Sequence, residues 1–206
     1  PLGDLLIFTQ LGEWRLFAIN SDAITPNTVA IRPQSYVGSS TVRPLVANSS
    51  VLFCAARGGH VRQMGYEAAR SGFTTGDLSL RAAHLFDDLD IKRSAYQKSP
   101  APVAWFVSSN GKLLGLTYVP EEQISAWHQH ETDGTFESVA CVSEGAEDRV
   151  YVTVKRTVNG ATVRNIERMS TLSPDYPAPT LCLDDALSYN GSVSGYDLRV
   201  SSGNYD

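Results

Sequence analysis

The sequence predicts an all-β fold, built of propeller-like blades that are four-stranded antiparallel sheets, with one short helix. Three observations predict it. Four segments share one plan: an apolar run, a glycine-bearing turn and a second apolar run. These segments begin at residues 5, 51, 103 and 149, a spacing of 46 to 52 residues. That spacing falls in the range of four-stranded propeller blades. Finally, Val103, Ala104, Trp105, Phe106 and Val107 form a strand-like run with no polar position, as a strand covered on both faces requires.

Each of the four segments reads as a β-hairpin: residues 5–17 (LLIFTQLGEWRLF), 51–64 (VLFCAARGGHVRQM), 103–116 (VAWFVSSNGKLLGL) and 149–166 (RVYVTVKRTVNGATVRNI). Their expected turns carry Gly12, Gly58-Gly59, Asn110-Gly111 and Asn159-Gly160. Asn-Gly predicts a type I′ turn, because both central residues must take positive φ. Strand-like runs at 29–31, 125–130 and 136–142 lie between the hairpins and would complete larger sheets. The expected blades span approximately residues 1–35, 36–78, 90–133 and 134–169. Gly115, inside an apolar run, predicts a close approach of a neighbouring backbone. A helix is expected over 80–86, capped by Ser79 or Asp77, with Leu80, Ala83 and Phe86 on one face. Residues 170–206 read as a linker rich in Ser, Thr and Pro, followed by the start of a further β unit near 181–189. With Pro1 leading straight into a strand pattern and a polar stretch at 201–206, the sequence reads as a piece of a longer polypeptide.

Composition narrows the function classes. The chain has 206 residues, 42% hydrophobic and 19% charged, which is a globular composition with enough length for a sizeable core. It carries 22 acidic against 17 basic side chains, a formal charge of −5. The basic residues are scattered, so the electrostatic footprint of a nucleic-acid grip is missing. Three cysteines, Cys54, Cys141 and Cys182, are too few and too far apart for a disulfide framework. Cys54 and Cys141 lie in apolar runs and read as buried thiols. No stretch approaches the ~20 apolar residues of a membrane-spanning helix.

The search for chemistry returns little. His128 and His130, two apart in a strand, would point to one face and are the weak candidates for metal ligation, with Glu131 and Asp133 as the nearest carboxylates. A solvated strand edge beside a turn is the plainer reading, and neither a metal nor any cofactor is expected. His84 near Asp87 and Asp88 has acid–base potential, but half-burial on the short helix, with the aspartates solvated beyond its end, is the plainer reading. Cys54 has no visible activating partner. No P-loop, nucleophile elbow or dinucleotide fingerprint occurs, and the turns do not fit the repeated aspartate motif of propeller glycosidases. Trp14, Trp105 and Trp127 lie inside strands, where core packing is the default. No catalytic residue is expected.

Several phrases carry a resemblance. They are GYEAARSGFTTGDLSLRAAHLF (65–86), WFVSSNGKLLGLTYVPEEQISAWHQHETDGTFESVA (105–140) and VKRTVNGATVRNIERM (154–169), with LLIFTQLGEW and YVGSSTVRPLVANSSVLF upstream. In order and over about three quarters of the chain, they resemble the propeller proteins of tailed bacteriophages and prophages described as phage stabilisation, tail tubular or tail nozzle proteins. The end of the chain, YDLRVSSGNYD, does not share the likeness. The resemblance implies a non-catalytic virion component of the tail, made in the bacterial host cytoplasm. It would form a homo-oligomeric ring in the full-length protein and help form and close the DNA channel. Its implied partners are neighbouring tail and portal-adaptor proteins, without tight nucleic-acid binding and without a membrane. The alternatives are a propeller glycosidase or carbohydrate-binding module, or a plain interaction propeller.

Overall fold

A computed structural model of the chain describes residues 4–21 and 23–170. The fold is all-β, as expected, with four antiparallel sheets that follow one another along the sequence; the second and third have the expected four strands, whereas the first and last have three among the described residues. Sheet 1 comprises β1 (Leu5–Thr9), β2 (Gly12–Ala18) and β3 (Val29–Ser35). Sheet 2 comprises β4 (Leu45–Ala47), β5 (Ser50–Cys54), β6 (Val61–Glu67) and β7 (Gly72–Asp77). Sheet 3 comprises β8 (Ile91–Gln97), β9 (Val103–Ser108), β10 (Leu113–Val119) and β11 (Ile124–His130). Sheet 4 comprises β12 (Thr135–Glu144), β13 (Glu147–Val158) and β14 (Ala161–Arg168). Each sheet is a simple meander in which consecutive strands are hydrogen-bonded neighbours. Short connections make the antiparallel pairing the easy outcome.

The sheets stack face to face in chain order, because alternating residues on the inner strands of sheets 2 and 3 feed two different cores. Phe53, Met64 and Phe73 of sheet 2 meet Leu6 and Phe8 of sheet 1. From the opposite face of sheet 2, Leu52, Cys54 and Val61 meet Ala104, Phe106, Leu114 and Leu116 of sheet 3. The other face of sheet 3 presents Val103, Trp105, Val107 and Leu113 to Val139, Val150, Val152 and Val154 of sheet 4. All six residues of β9 are buried. Trp105 and Phe106 are 4% and 1% exposed, and they enter different cores. Polar groups stitch the same interfaces: the Tyr118 hydroxyl donates to Gln63 Oε1 at 2.8 Å, and Trp127 Nε1 donates to the Leu78 carbonyl at 2.8 Å.

A second device repeats. The inner hairpin turn of each of the first three sheets lies against the segment that enters the next. The Ser39 N–H donates to the Thr9 carbonyl at 2.7 Å, and the Phe136 N–H donates to the Gly111 carbonyl at 2.8 Å. A glycine sits at each crossing. A Cβ on Gly38 would lie 2.1 Å from the Gln10 carbonyl oxygen, one on Gly59 would lie 2.0 Å from that of Leu89, and one on Gly111 would lie 2.7 Å from Thr135. The connections β6–β7 and β10–β11 also match: each is a 3-10 turn (Ala68–Arg70, Pro120–Glu122) closed by one left-handed residue, Ser71 or Gln123. These matches make β1, β5 and β9 equivalent strands. Sheet 1 therefore has no counterpart of β4 or β8 among the described residues.

Four local expectations need correction. Gly12 is not in a turn; it opens β2 opposite Thr9, and the turn is Gln10-Leu11. A Cβ there would lie 2.7 Å from the Ser35 carbonyl oxygen, so it is the approach of β3 that requires glycine. Asn159 and Gly160 both take positive φ and form the expected two-residue turn, but at Asn110-Gly111 only the glycine does. The Asn110 side chain instead accepts the Lys112 N–H at 3.2 Å, holding an Asx-type loop. At Gly115 the close neighbour is not backbone but the His128 imidazole, 2.1 Å from where a Cβ would sit. The helix is a 3-10 segment (Leu80–Leu85) broken at Ala82, so Leu80 swings out to 71% exposure while Ala82 and Phe86 are buried. Ser79 does not cap it; its hydroxyl accepts the Val61 N–H at 2.8 Å.

Truncating either Trp105 or Phe106 to Ala is expected to cost about 3–5 kcal/mol, read by denaturant unfolding. Losses below ~1 kcal/mol at both positions would contradict the doubly covered strand. Gly160→Ala, in open space at φ +77°, should cost about 1–2 kcal/mol of backbone strain alone. Gly59→Ala should cost more, since it adds the clash with Leu89. Equal losses in the same unfolding assay would mean that the sheets are not fastened there.

Candidate functional site

The polar group with the most structure around it is the pair His128 and His130 on β11. Strand alternation puts both on the face of sheet 3 that carries Trp105. Nδ1 of His128 lies 2.9 Å from Nε2 of His130, and the rings meet edge to face with centroids 5.0 Å apart. The Trp105 ring forms the floor, 5.4 Å and 5.3 Å from the two imidazole centroids. Trp105 is itself oriented by its Nε1–H bond to Gln97 Oε1 at 3.0 Å. Gly115, paired with His128 across the strands, leaves the room the imidazole fills. Burial pushes both histidines below the ordinary value of 6.5, and for His128 the neighbouring imidazole adds to the effect. A hydrogen bond between two imidazoles needs a donor and an acceptor, so at least one ring must be neutral.

As the sequence implied, the two histidines come together. No third His, Cys, Asp or Glu joins them among the described residues. Glu131 turns to Lys112 and Gln129 instead, and its hydrogen bond with Lys112 holds its carboxyl below the ordinary value. Two imidazoles already bonded to each other make a poor start for a structural zinc site, which wants four ligands.

The remaining candidates disperse. His84 is exposed on the 3-10 segment rather than half-buried. His60 Nδ1 lies 3.0 Å from Asp77 Oδ2, with Arg62 at 3.5 Å and the Ser79 N–H on Oδ1 at 2.8 Å. That network fastens the end of β7 to the start of β6. Burial pushes the Cys54 thiol up to about 12, and the Cys141 thiol likewise, with Asp148 assisting at Cys141. Neither is a thiolate at neutral pH. Cys182 lies outside the described residues. A cavity of about 490 Å³ opens beside the inner hairpin turns, lined among others by Gln10, Asp90, Lys92, Arg93 and Glu137. Its charges are mixed, and it brings no base to a nucleophile.

Sequence reasoning missed Glu13. This carboxylate is fully buried at the bulge where β2 meets the end of β3. Neither oxygen makes a hydrogen bond of good geometry, although Ser35 and the backbone of Val37 and Gly38 stand close. Burial raises its pKa against those dipoles. The only available signal was an acidic residue at the start of the largely apolar strand β2. The chain matches no protein-family model and no curated protein.

The histidine pair generates a pH dependence. Both folded-state values lie below the unfolded value of 6.5. The folded state therefore binds fewer protons, and stability is lost as pH falls below 6.5 towards the folded values. Chemical unfolding at a series of pH values should show this loss, and the double variant His128→Gln/His130→Gln should flatten it. An unchanged slope in the variant would assign the effect elsewhere.

Proposed function

We propose that the chain is a non-catalytic structural part of a phage or prophage tail. Its four sheets act as blades of a partial propeller that braces a DNA channel. The observation that carries this reading is the way the chain uses its polar side chains. His60, Asp77, Ser79, Gln63, Tyr118, Gln97 and Trp105 all bond across strands or between sheets, and none converges with a nucleophile or a ligand set on an open cleft. Three successive sheet interfaces, each with a turn packed against the entry to the next sheet at a glycine and two of them with a backbone hydrogen bond there, make a repeating wall rather than a pocket. The resemblance of residues 65–86, 105–140 and 154–169 to tail nozzle and stabilisation proteins supplies the biological setting. In that setting the full-length protein forms a homo-oligomeric ring in the virion, between other tail proteins and the portal adaptor.

A conduit wall must let a polyanion pass without holding it. With 22 acidic and 17 basic side chains and no basic stripe, the chain should bind duplex DNA only weakly, roughly 10⁻⁴ M or worse at physiological salt. Fluorescence anisotropy at two salt concentrations measures this. Labelling of purified tailed particles with an antibody against the chain should decorate the tail. Sub-micromolar affinity with a steep salt slope, or particles that carry no label, would overturn the reading.

A further inference from the structure

Two strands carry the same irregularity. In β8 the pairing with β9 passes from Ile91 opposite Ser108 to Arg93 opposite Val107, so Lys92 has no partner. In β12 the pairing with β13 passes from Phe136 opposite Val154 to Ser138 opposite Thr153, so Glu137 has none. Each is a bulge near the start of the first strand of its sheet. A bulge leaves one residue outside the ladder and re-aims its side chain. Strands β8 and β12 lie side by side, and both ejected residues line the cavity of about 490 Å³. That volume is in the range of small-ligand sites.

Pairing decides the charge that the cavity offers. Glu137 is already taken: Arg164 holds it through Nε to Oε2 at 2.8 Å and a second guanidinium nitrogen to Oε1 at 3.2 Å. Lys92 acts on that carboxylate only at a distance. Among the described residues Lys92 and Arg93 form no ion pair. Lys92 Nζ reaches the Ser109 carbonyl at 3.5 Å, and the Arg93 guanidinium donates to the Lys92 carbonyl at 2.9 Å. The rest of the Arg93 fork and the lysine's other protons are unused. Against these two cations stands one carboxylate without an ion pair, Asp90. The wall that carries them is fixed. The Ser109 N–H donates to the Asp90 carbonyl at 2.7 Å, and the Asp90 N–H donates to Ser109 Oγ at 3.1 Å. The hydroxyls of Ser40 and Thr41 line the opposite side.

The geometry points to a binding site for an oxyanion group, phosphate or carboxylate, in the cavity at the head of β8, with Lys92 and Arg93 as its cationic donors. It stands independently of the tail reading and involves no chemical step. The guanidinium fork suits two oxygens of one group, and the hydroxyls add neutral donors. A cation would meet two unpaired positive charges, and the carboxylate nearest to it is already engaged by Arg164. General attraction cannot account for anion binding here, since the chain as a whole carries −5. Both basic side chains are exposed, so screening keeps the affinity low.

NMR titration of the ¹⁵N-labelled chain with sodium phosphate, and separately with sodium acetate, tests this at ionic strength held constant with sodium chloride. Saturable shifts confined to the amides of residues 40–42, 54–56 and 90–93 are expected, with a Kd on the order of 1 mM. The double variant Lys92→Gln/Arg93→Gln should raise that Kd at least about tenfold. Both positions are exposed and outside any ion pair, and the same spectra show whether the fold is kept. Lys98→Gln, just beyond the other end of β8, should change nothing. Asp90→Asn removes the competing carboxylate and should tighten binding about threefold. Saturation by phosphate alone assigns a phosphate group; saturation by both anions extends the site to carboxylates. No saturable shift with either anion, a double variant that binds as the parent does, or an equal loss in Lys98→Gln would overturn the inference.

Discussion

The structure depends on one constraint above the others: the inner strands of a sheet covered on both sides must be apolar on both faces. Strand β9 meets it most completely, with Phe106 facing one sheet and Trp105 the other. Burial at ~25 cal/mol per Å² of apolar surface is the dominant favourable term in such a contact. It is non-directional, however, and would allow two sheets to slide over each other. Direction comes from the polar groups at the rims. The Tyr118–Gln63 and Trp127–Leu78 hydrogen bonds cross between elements that are far apart in sequence, and each has one geometry only.

The glycine crossings add a second level of order. Hairpin turns are usually free to vary, since they project into water. Here the turns at Gln10, Gly59 and Gly111 are pressed against the chain that enters the following sheet. The spacing between sheets is thereby set by backbone contacts as well as by side-chain volume. Gly38, Gly59 and Gly111 all hold positive φ, so the same residue type relieves both the dihedral and the steric demand.

Much of this was legible in the sequence, and the failures have physical causes. The four hairpins could be read because each joins two apolar runs, three of them around a turn glycine, and Trp105-Phe106 could be read because adjacent aromatics in a strand cannot share a face. Asn159-Gly160 behaves as its local chemistry dictates. Asn110-Gly111 does not, since its loop must offer the Gly111 carbonyl to Phe136 of the next sheet and tertiary demand overrides the local preference. The shared face of His128 and His130 follows from alternation. Their floor on Trp105 and the vacancy at Gly115 needed the register of β10 against β9 and β11, which no single sequence specifies. The break at Ala82 and the burial of Glu13 had no periodic signal at all.

Each apolar core in this molecule joins two consecutive sheets, and this has an energetic consequence. Such a chain behaves as a row of coupled units, in which stability is a sum of intrinsic and nearest-neighbour terms, as in a one-dimensional Ising lattice. An inner unit has two couplings and an end unit has one. Within the described residues sheet 1 has one coupling and carries the buried Glu13 carboxylate, so it is the unit of this row from which disorder would propagate. A further sheet packed on its outer face would act on the whole row, converting a boundary unit into an interior one.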